Sequence, residues 1–187
     1  MEVSPKGKIL SRTEYETGID RPHSQFRQLN KNKRGNYLIP LISTSEVREI
    51  SPSGKLINSF KVEGTPFTTL ESTDGNYWIA CGDGHTLIEV NPNDGQIIRR
   101  YNENDIKGVR LFFTAGLCKS ADGNLYICNW QGHSHDANAA NSPQLFEINQ
   151  KGEVIWSLND NQTSGMISAV TVSYTHLRAH ETEADLV

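Results

Sequence analysis

An all-β fold built from repeated four-stranded units is what this sequence predicts, and three observations carry the prediction. The first is self-similarity. The segments GNYLIPLISTSEVREISPSGKLINSF, GNYWIACGDGHTLIEVNPNDGQIIRRY and GNLYICNWQGHSHDANAANSPQLFEINQKGEVIWSL share one plan: Gly-Asn, an apolar run, Glu-Ile or Glu-Val, a turn with Gly, and a second apolar run. The second is that the runs are short and rich in β-branched and aromatic residues, which suits strands better than helices. The third is the turn chemistry between them, where Asp-Gly pairs and the glycines Gly54, Gly95 and Gly152 supply the left-handed positions of hairpins. Self-similarity at roughly 40–50 residues from short β-type runs is the signature of a β-propeller blade array. The expected architecture is a partial β-propeller, with three complete four-stranded antiparallel blades and partial blades at each end, over residues 1–172.

The elements follow in order. EVSPKGKIL supplies the outer two strands of a half-blade at residues 1–10. Blade one spans 23–62, with strand a at His23–Asn30, b at Tyr37–Ile42, c at Val47–Ser51 and d at Lys55–Val62. Blade two spans 65–101, with Thr65–Ser72, Tyr77–Cys81, Thr86–Asn91 and Gln96–Tyr101. Blade three spans 111–158, with Leu111–Lys119, Leu125–Asn129, Gln144–Asn149 and Glu153–Leu158. Residues 166–172 read as strand a of a following half-blade. Propellers close with roughly 4–8 blades, so three whole blades imply a piece of a larger ring. The unpaired sheet edges of such a piece are expected to self-associate.

Composition excludes some functions. A net charge of −4 over 187 residues offers no basic field, so no nucleic-acid partner is expected. The cluster Lys31, Lys33 and Arg34 falls in a turn and reads as a solvated one. No apolar stretch approaches ~18 residues, so no transmembrane segment is expected, and no signal peptide is visible at the N-terminus. Cys81, Cys118 and Cys128 have neither a redox nor a zinc spacing and read as buried structural thiols. Glu49, Glu89 and Glu147 recur at one blade position and read as structural, forming blade-to-blade hydrogen bonds. Trp78 and Trp156 read as sheet packing.

GNYLIP, EISPSGKLI, EVNPNDGQII and EINQKGEVIWSL resemble blades of bacterial quinoprotein-like, NHL-like and YncE-like propellers. The resemblance implies a secreted or periplasmic bacterial repeat protein. Gly152 with Trp156 resembles the ending of quinoprotein repeats, but the preceding Thr-Gly is absent in every copy, so pyrroloquinoline quinone is not supported as a cofactor. Residues 173–187 are another matter. SYTHLRAHET resembles translated sequencing-adapter read-through, which implies an artefactual tail, at most a short helix; the His176 and His180 pair is not taken as a metal site.

Strand parity locates the candidate chemistry. In an up-and-down blade the a–b and c–d turns share one face, while the b–c loops and d-to-a links share the other. The first face is short and generic. The second collects Arg21, His23, Asp83, His85, Arg110, Trp130, His133, His135 and Asp136, and its third b–c loop is enlarged to Pro143. Loops presented by a rigid scaffold are where binding residues concentrate. The ligand-binding candidates are therefore His23, Asp83, His85, Arg110, Trp130, His133, His135 and Asp136. His133, His135 and Asp136 are the candidate metal ligands, with Asp83 as a further oxygen donor. Arginines with Trp130 suit an anionic or sugar-like ligand. The expected function is a binding scaffold for a small polar molecule, a carbohydrate or a protein partner. The alternative is part of an enzyme, arylsulfotransferase-like or a hydrolase or lyase, with His23, Arg110 and His133 as catalytic candidates.

Overall fold

A computed structural model describes residues 1–132, 139–159 and 167–171. The chain is all-β, and its sheets follow the repeat. β1 (Glu2–Val3) and β2 (Ile9–Ser11) form an antiparallel pair. Blade one holds β3 (Asn30–Lys31), β4 (Tyr37–Leu41), β5 (Glu46–Ile50) and β6 (Leu56–Lys61). Blade two holds β7 (Thr68–Glu71), β8 (Tyr77–Cys81), β9 (Thr86–Val90) and β10 (Ile97–Tyr101). Blade three holds β11 (Thr114–Lys119), β12 (Leu125–Asn129), β13 (Leu145–Ile148) and β14 (Val154–Leu158). Each four-stranded sheet is ordered as the chain runs, with antiparallel neighbours throughout.

The core lies between the blades. Leu38 and Val47 of blade one pack with Tyr77, Ile79, Ile88 and Val90 of blade two. Trp78, Ala80 and Leu87 of blade two pack with Leu117, Leu125, Ile127 and Phe146 of blade three. Middle strands covered on both faces read as continuous apolar runs, and β4, β8 and β9 are buried along their whole length. The outermost strands are not: Leu56, Ile57, Ile97, Ile98, Ile155 and Trp156 are exposed. Trp156 meets Tyr126 of its own blade edge-on, at 6.3 Å between rings.

Strand a of blade one departs from expectation. It is paired only at Asn30–Lys31, and Pro22–Ser24 form a 3-10 turn instead. The reason is Pro40. The Asn32 N–H donates to the Asn36 carbonyl, and the register Asn30↔Leu38 puts the next hydrogen-bonded pair at Pro40. Proline has no N–H to give, so the ladder stops there. Residues 167–171 also form no strand, although Gln28 donates its side-chain amide to the Ser168 carbonyl (3.3 Å).

The turn face joins blade to blade. Asn36, Asn76 and Asn124, the Asn of each Gly-Asn, donate to Glu49, Glu89 and Glu147 at 2.6, 3.3 and 3.0 Å within their own blades. Among the described residues the expected blade-to-blade bond is made by Glu49, which accepts from the Tyr77 hydroxyl at 3.1 Å. It also accepts from Asn32 (2.8 Å) and Arg34 (2.9 Å). Burial would push the Glu49 carboxyl up, but these donors outweigh it and hold it below the ordinary glutamate range. The basic turn is therefore not merely solvated: Arg34 pairs with Glu49, Lys31 with Glu2, and Lys33 donates to the Thr73 carbonyl of the next blade (2.6 Å). A second latch recurs three times. Thr13, Asn58 and Arg99 each donate to the c–d turn of the following blade, at the carbonyls of Pro52, Pro92 and Gln150.

All three cysteines are free thiols. Burial pushes the Cys81 thiol up to about 11 and the Cys128 thiol up to about 12, so both are inert; Cys118 is half-buried. Among the described residues, no helix is long and apolar enough to cross a membrane.

Candidate functional site

The opposite face carries two adjoining clefts. The first, about 420 Å³, lies across the inner rims of all three blades, where His23, Arg27, Phe67, Asp83, Phe113 and Trp130 line it. The second, about 330 Å³, is lined by Asp83, His85, Glu103, Arg110, Phe112 and Trp130. Asp83, Phe113 and Trp130 belong to both and form the wall between them.

Local sequence sets each side chain. Pro22 opens the 3-10 turn that carries His23, its fixed φ suiting a first helical position. That turn is tied to blade one by the N–H groups of Ile42 and Ser43, which donate to the Gln25 and Ser24 carbonyls. His23 is thus held, exposed, at the mouth of the first cleft. Asp83 and His85 sit in the four-residue turn between β8 and β9. His85 has φ +51°, and Ser45 at the equivalent place in blade one has φ +47°. The left-handed residue is therefore a feature of this blade turn rather than strain stored for chemistry. The His85 Nδ1 lies against the Phe112 carbonyl. A carbonyl only accepts, so Nδ1 carries the proton, and in the neutral ring Nε2 is the acceptor.

Phe113 organises the aromatic part. Its ring meets Phe67 at 5.1 Å and Trp130 at 5.4 Å, both nearly perpendicular (84° and 85°). Edge-to-face pairs of this kind add about 0.5–1.5 kcal/mol beyond burial. Gly82 makes room for it: a Cβ there would lie 2.6 Å from the tip of the Phe113 ring. The backbone also bridges Gly82 to Thr114, joining blade two to blade three beside the wall.

The second cleft is built on Asn129, fully buried at the end of β12. It accepts from the Phe112 N–H (2.8 Å) and donates to the Arg110 and Pro143 carbonyls (2.8 and 3.0 Å). Ser142 adds a hydroxyl to the Arg110 carbonyl at 2.8 Å. The Arg110 guanidinium pairs with Glu103 at 2.6 Å and lies over the Phe112 ring at 4.7 Å.

Of the predicted residues, the structure brings His23, Asp83 and Trp130 to the first cleft and Asp83, His85, Arg110 and Trp130 to the second. His23 and Arg110 line different clefts. His133, His135 and Asp136 lie outside the described residues, and no group of three potential metal ligands occurs among the described ones. The sequence reading missed Arg27, Phe67, Glu103 and Phe113. A signal existed for two of them: Phe67-Thr68 and Phe113-Thr114 open the inner strands of blades two and three.

Three antiparallel blades packed face to face, with the longer loops gathered on one side, define a β-propeller. The chain belongs to the Mal s 1 allergenic protein-like family, which residues 1–153 match. It is 54% identical to a protein of unknown function from Bacteroides caccae, with a TM-score of 0.79, over 90% of this chain and 62% of that one. The chain therefore spans under two thirds of that relative's length. Virginiamycin B lyase from Staphylococcus aureus has the same fold at 14% identity, with a TM-score of 0.61 over 92% of this chain and 52% of the lyase. Hydrazine synthase from Kuenenia stuttgartiensis is similar at 15% identity and a TM-score of 0.62, over 83% of this chain and 40% of that one. None of the curated proteins matches the chain. The sequence resemblance to propellers thus holds at the level of the class, and the family is the Mal s 1-like one.

Proposed function

We propose that the chain is a β-propeller binding scaffold whose loop face takes a small polar ligand. The observation that carries this reading is the 420 Å³ cleft, where three aromatic rings meet Arg27, His23 and Asp83. Ligand sites are typically concave, largely apolar clefts of roughly 300–1,000 Å³ with a few placed polar groups. Arg27 and His23 supply donors, Asp83 an acceptor, and the rings a flat apolar wall. The blade texture resembles that of NHL-like and YncE-like repeats, and the setting proposed with this reading is secreted or periplasmic in a bacterium. The enzyme reading is the weaker one, because His23 and Arg110 line separate clefts and, among the described residues, neither set adds up to an acid, base and nucleophile on one reacting atom.

The test is calorimetric titration of the chain against a panel of small polar metabolites and sugars. Arg27→Ala and Asp83→Asn should each weaken any binder about tenfold, the loss of a charge-assisted hydrogen bond or two. Unchanged affinity in both variants would put the binding surface elsewhere.

A further inference from the structure

We infer that the ligand is a neutral oligosaccharide of at least two units that occupies both clefts and crosses the wall of Asp83, Phe113 and Trp130. The inference rests on the binding reading above and names its ligand class. Three observations support it. The clefts are contiguous through three shared residues, so a ligand held in one meets the lining of the other. The second cleft has both signs of charge at its surface. Arg110 is already paired with Glu103, the exposed Asp83 adds a second carboxylate, and His85 adds an Nε2 acceptor.

An anion entering there would have to displace Glu103 from Arg110 and sit beside Asp83. Like charges at such range are unfavourable, and the anion would also have to make up for the Arg110–Glu103 pair it breaks, a half-exposed pair of small worth. A hydroxyl both donates and accepts, so a sugar's diols satisfy carboxylates and guanidinium without breaking the pair. The third observation is the wall itself. Phe67 and Trp130, both half-buried, stand perpendicular to the buried Phe113 and supply the apolar ring surface of the cleft. The C–H faces of a pyranose pack on such surfaces, while a small anion gains nothing from them.

The experiment is binding of the full chain to an array of neutral and acidic glycans in length ladders from one to five units, with inorganic phosphate and sulfate as anionic probes. Neutral ladders should gain about tenfold or more in affinity from one unit to two or three and then level off, with little dependence on salt. Phe67→Leu should weaken short and long members together, keeping their ratio. Glu103→Gln should collapse the ratio of tri- to monosaccharide affinity towards one. Fluorescence-monitored unfolding of each variant separates lost binding from lost structure. Affinity that does not rise with length overturns the two-cleft ligand while leaving the binding scaffold intact. Salt-sensitive binding of acidic glycans, phosphate or sulfate with none of neutral ones overturns the ligand class. Binding to no glycan and to neither anion overturns the inference, and it overturns the scaffold reading as well if the metabolite panel is also negative.

Discussion

The two faces of this propeller spend their residues differently. On the turn face, side chains at recurring positions are consumed in holding the blades: Asn36, Asn76 and Asn124 hold the glutamates of their own blades, and Thr13, Asn58 and Arg99 reach the next blade's turn. On the loop face the copies diverge, the turn between β12 and β13 grows, and two aromatic-walled clefts form, whereas the cleft of about 270 Å³ on the turn face is lined by the turns themselves with Trp78, Glu89 and Arg99. Repetition marks what the fold needs at every blade. Departure from it marks where a ligand can be read.

That contrast is broken most severely at Glu49. Glu49→Ala strands the buried donors of Asn32 and Tyr77 and releases Arg34, and is expected to cost about 3 kcal/mol in denaturant unfolding. A cost under about 1 kcal/mol would mean that the turn face is not where the blades are held. Gly54 comes next. Its φ is +84°, and a Cβ would lie 2.6 Å from the Glu14 carbonyl oxygen, a backbone atom of the segment leading into blade one. Gly35 has φ +80° with open space around it. Gly35→Ala should cost about 1 kcal/mol from backbone strain alone, and Gly54→Ala about 1–2 kcal/mol more because the neighbouring segment must shift. Equal losses would show that the turns only bend the chain.

The pH dependence sharpens the same point. Glu49 is held below its ordinary range in the folded chain, so its contribution is fully present above the unfolded value of about 4.3 and is lost as pH falls through the folded value. Stability measured from pH 7 downward should therefore fall on the acid side, and Glu49→Gln should flatten that limb. Smallest of all are the effects of loop-face changes on stability. Arg27→Ala, at an exposed site, should alter it by no more than about 0.5 kcal/mol while weakening ligand binding.

Much of the turn face was legible in the sequence because local chemistry decides it. Strands b, c and d of all three blades fall within a residue or two of expectation. The shared glutamate position was readable as structural, though its partners within each blade were not. Strand a of blade one was misread because the missing donor belongs to Pro40, on a different strand. The loop face was half legible. Parity put His23, Asp83, His85, Arg110 and Trp130 on one side, but it could not tell that they divide between two clefts. The aromatic cluster of Phe67, Phe113 and Trp130 comes from three separate segments, and only tertiary packing brings the Phe67 and Trp130 rings within 6 Å of Phe113.

The most direct measurement is the map of backbone amide shifts on the isotopically labelled chain as a neutral trisaccharide selected on the array is titrated in. The expected result is that shifts concentrate at Thr65–Phe67, Gly82–His85 and Arg110–Phe113, with the turns at Ser72–Asn76 and Asn91–Gln96 unmoved. Shifts centred on those turns, or spread evenly over both faces, would contradict the division of labour between them.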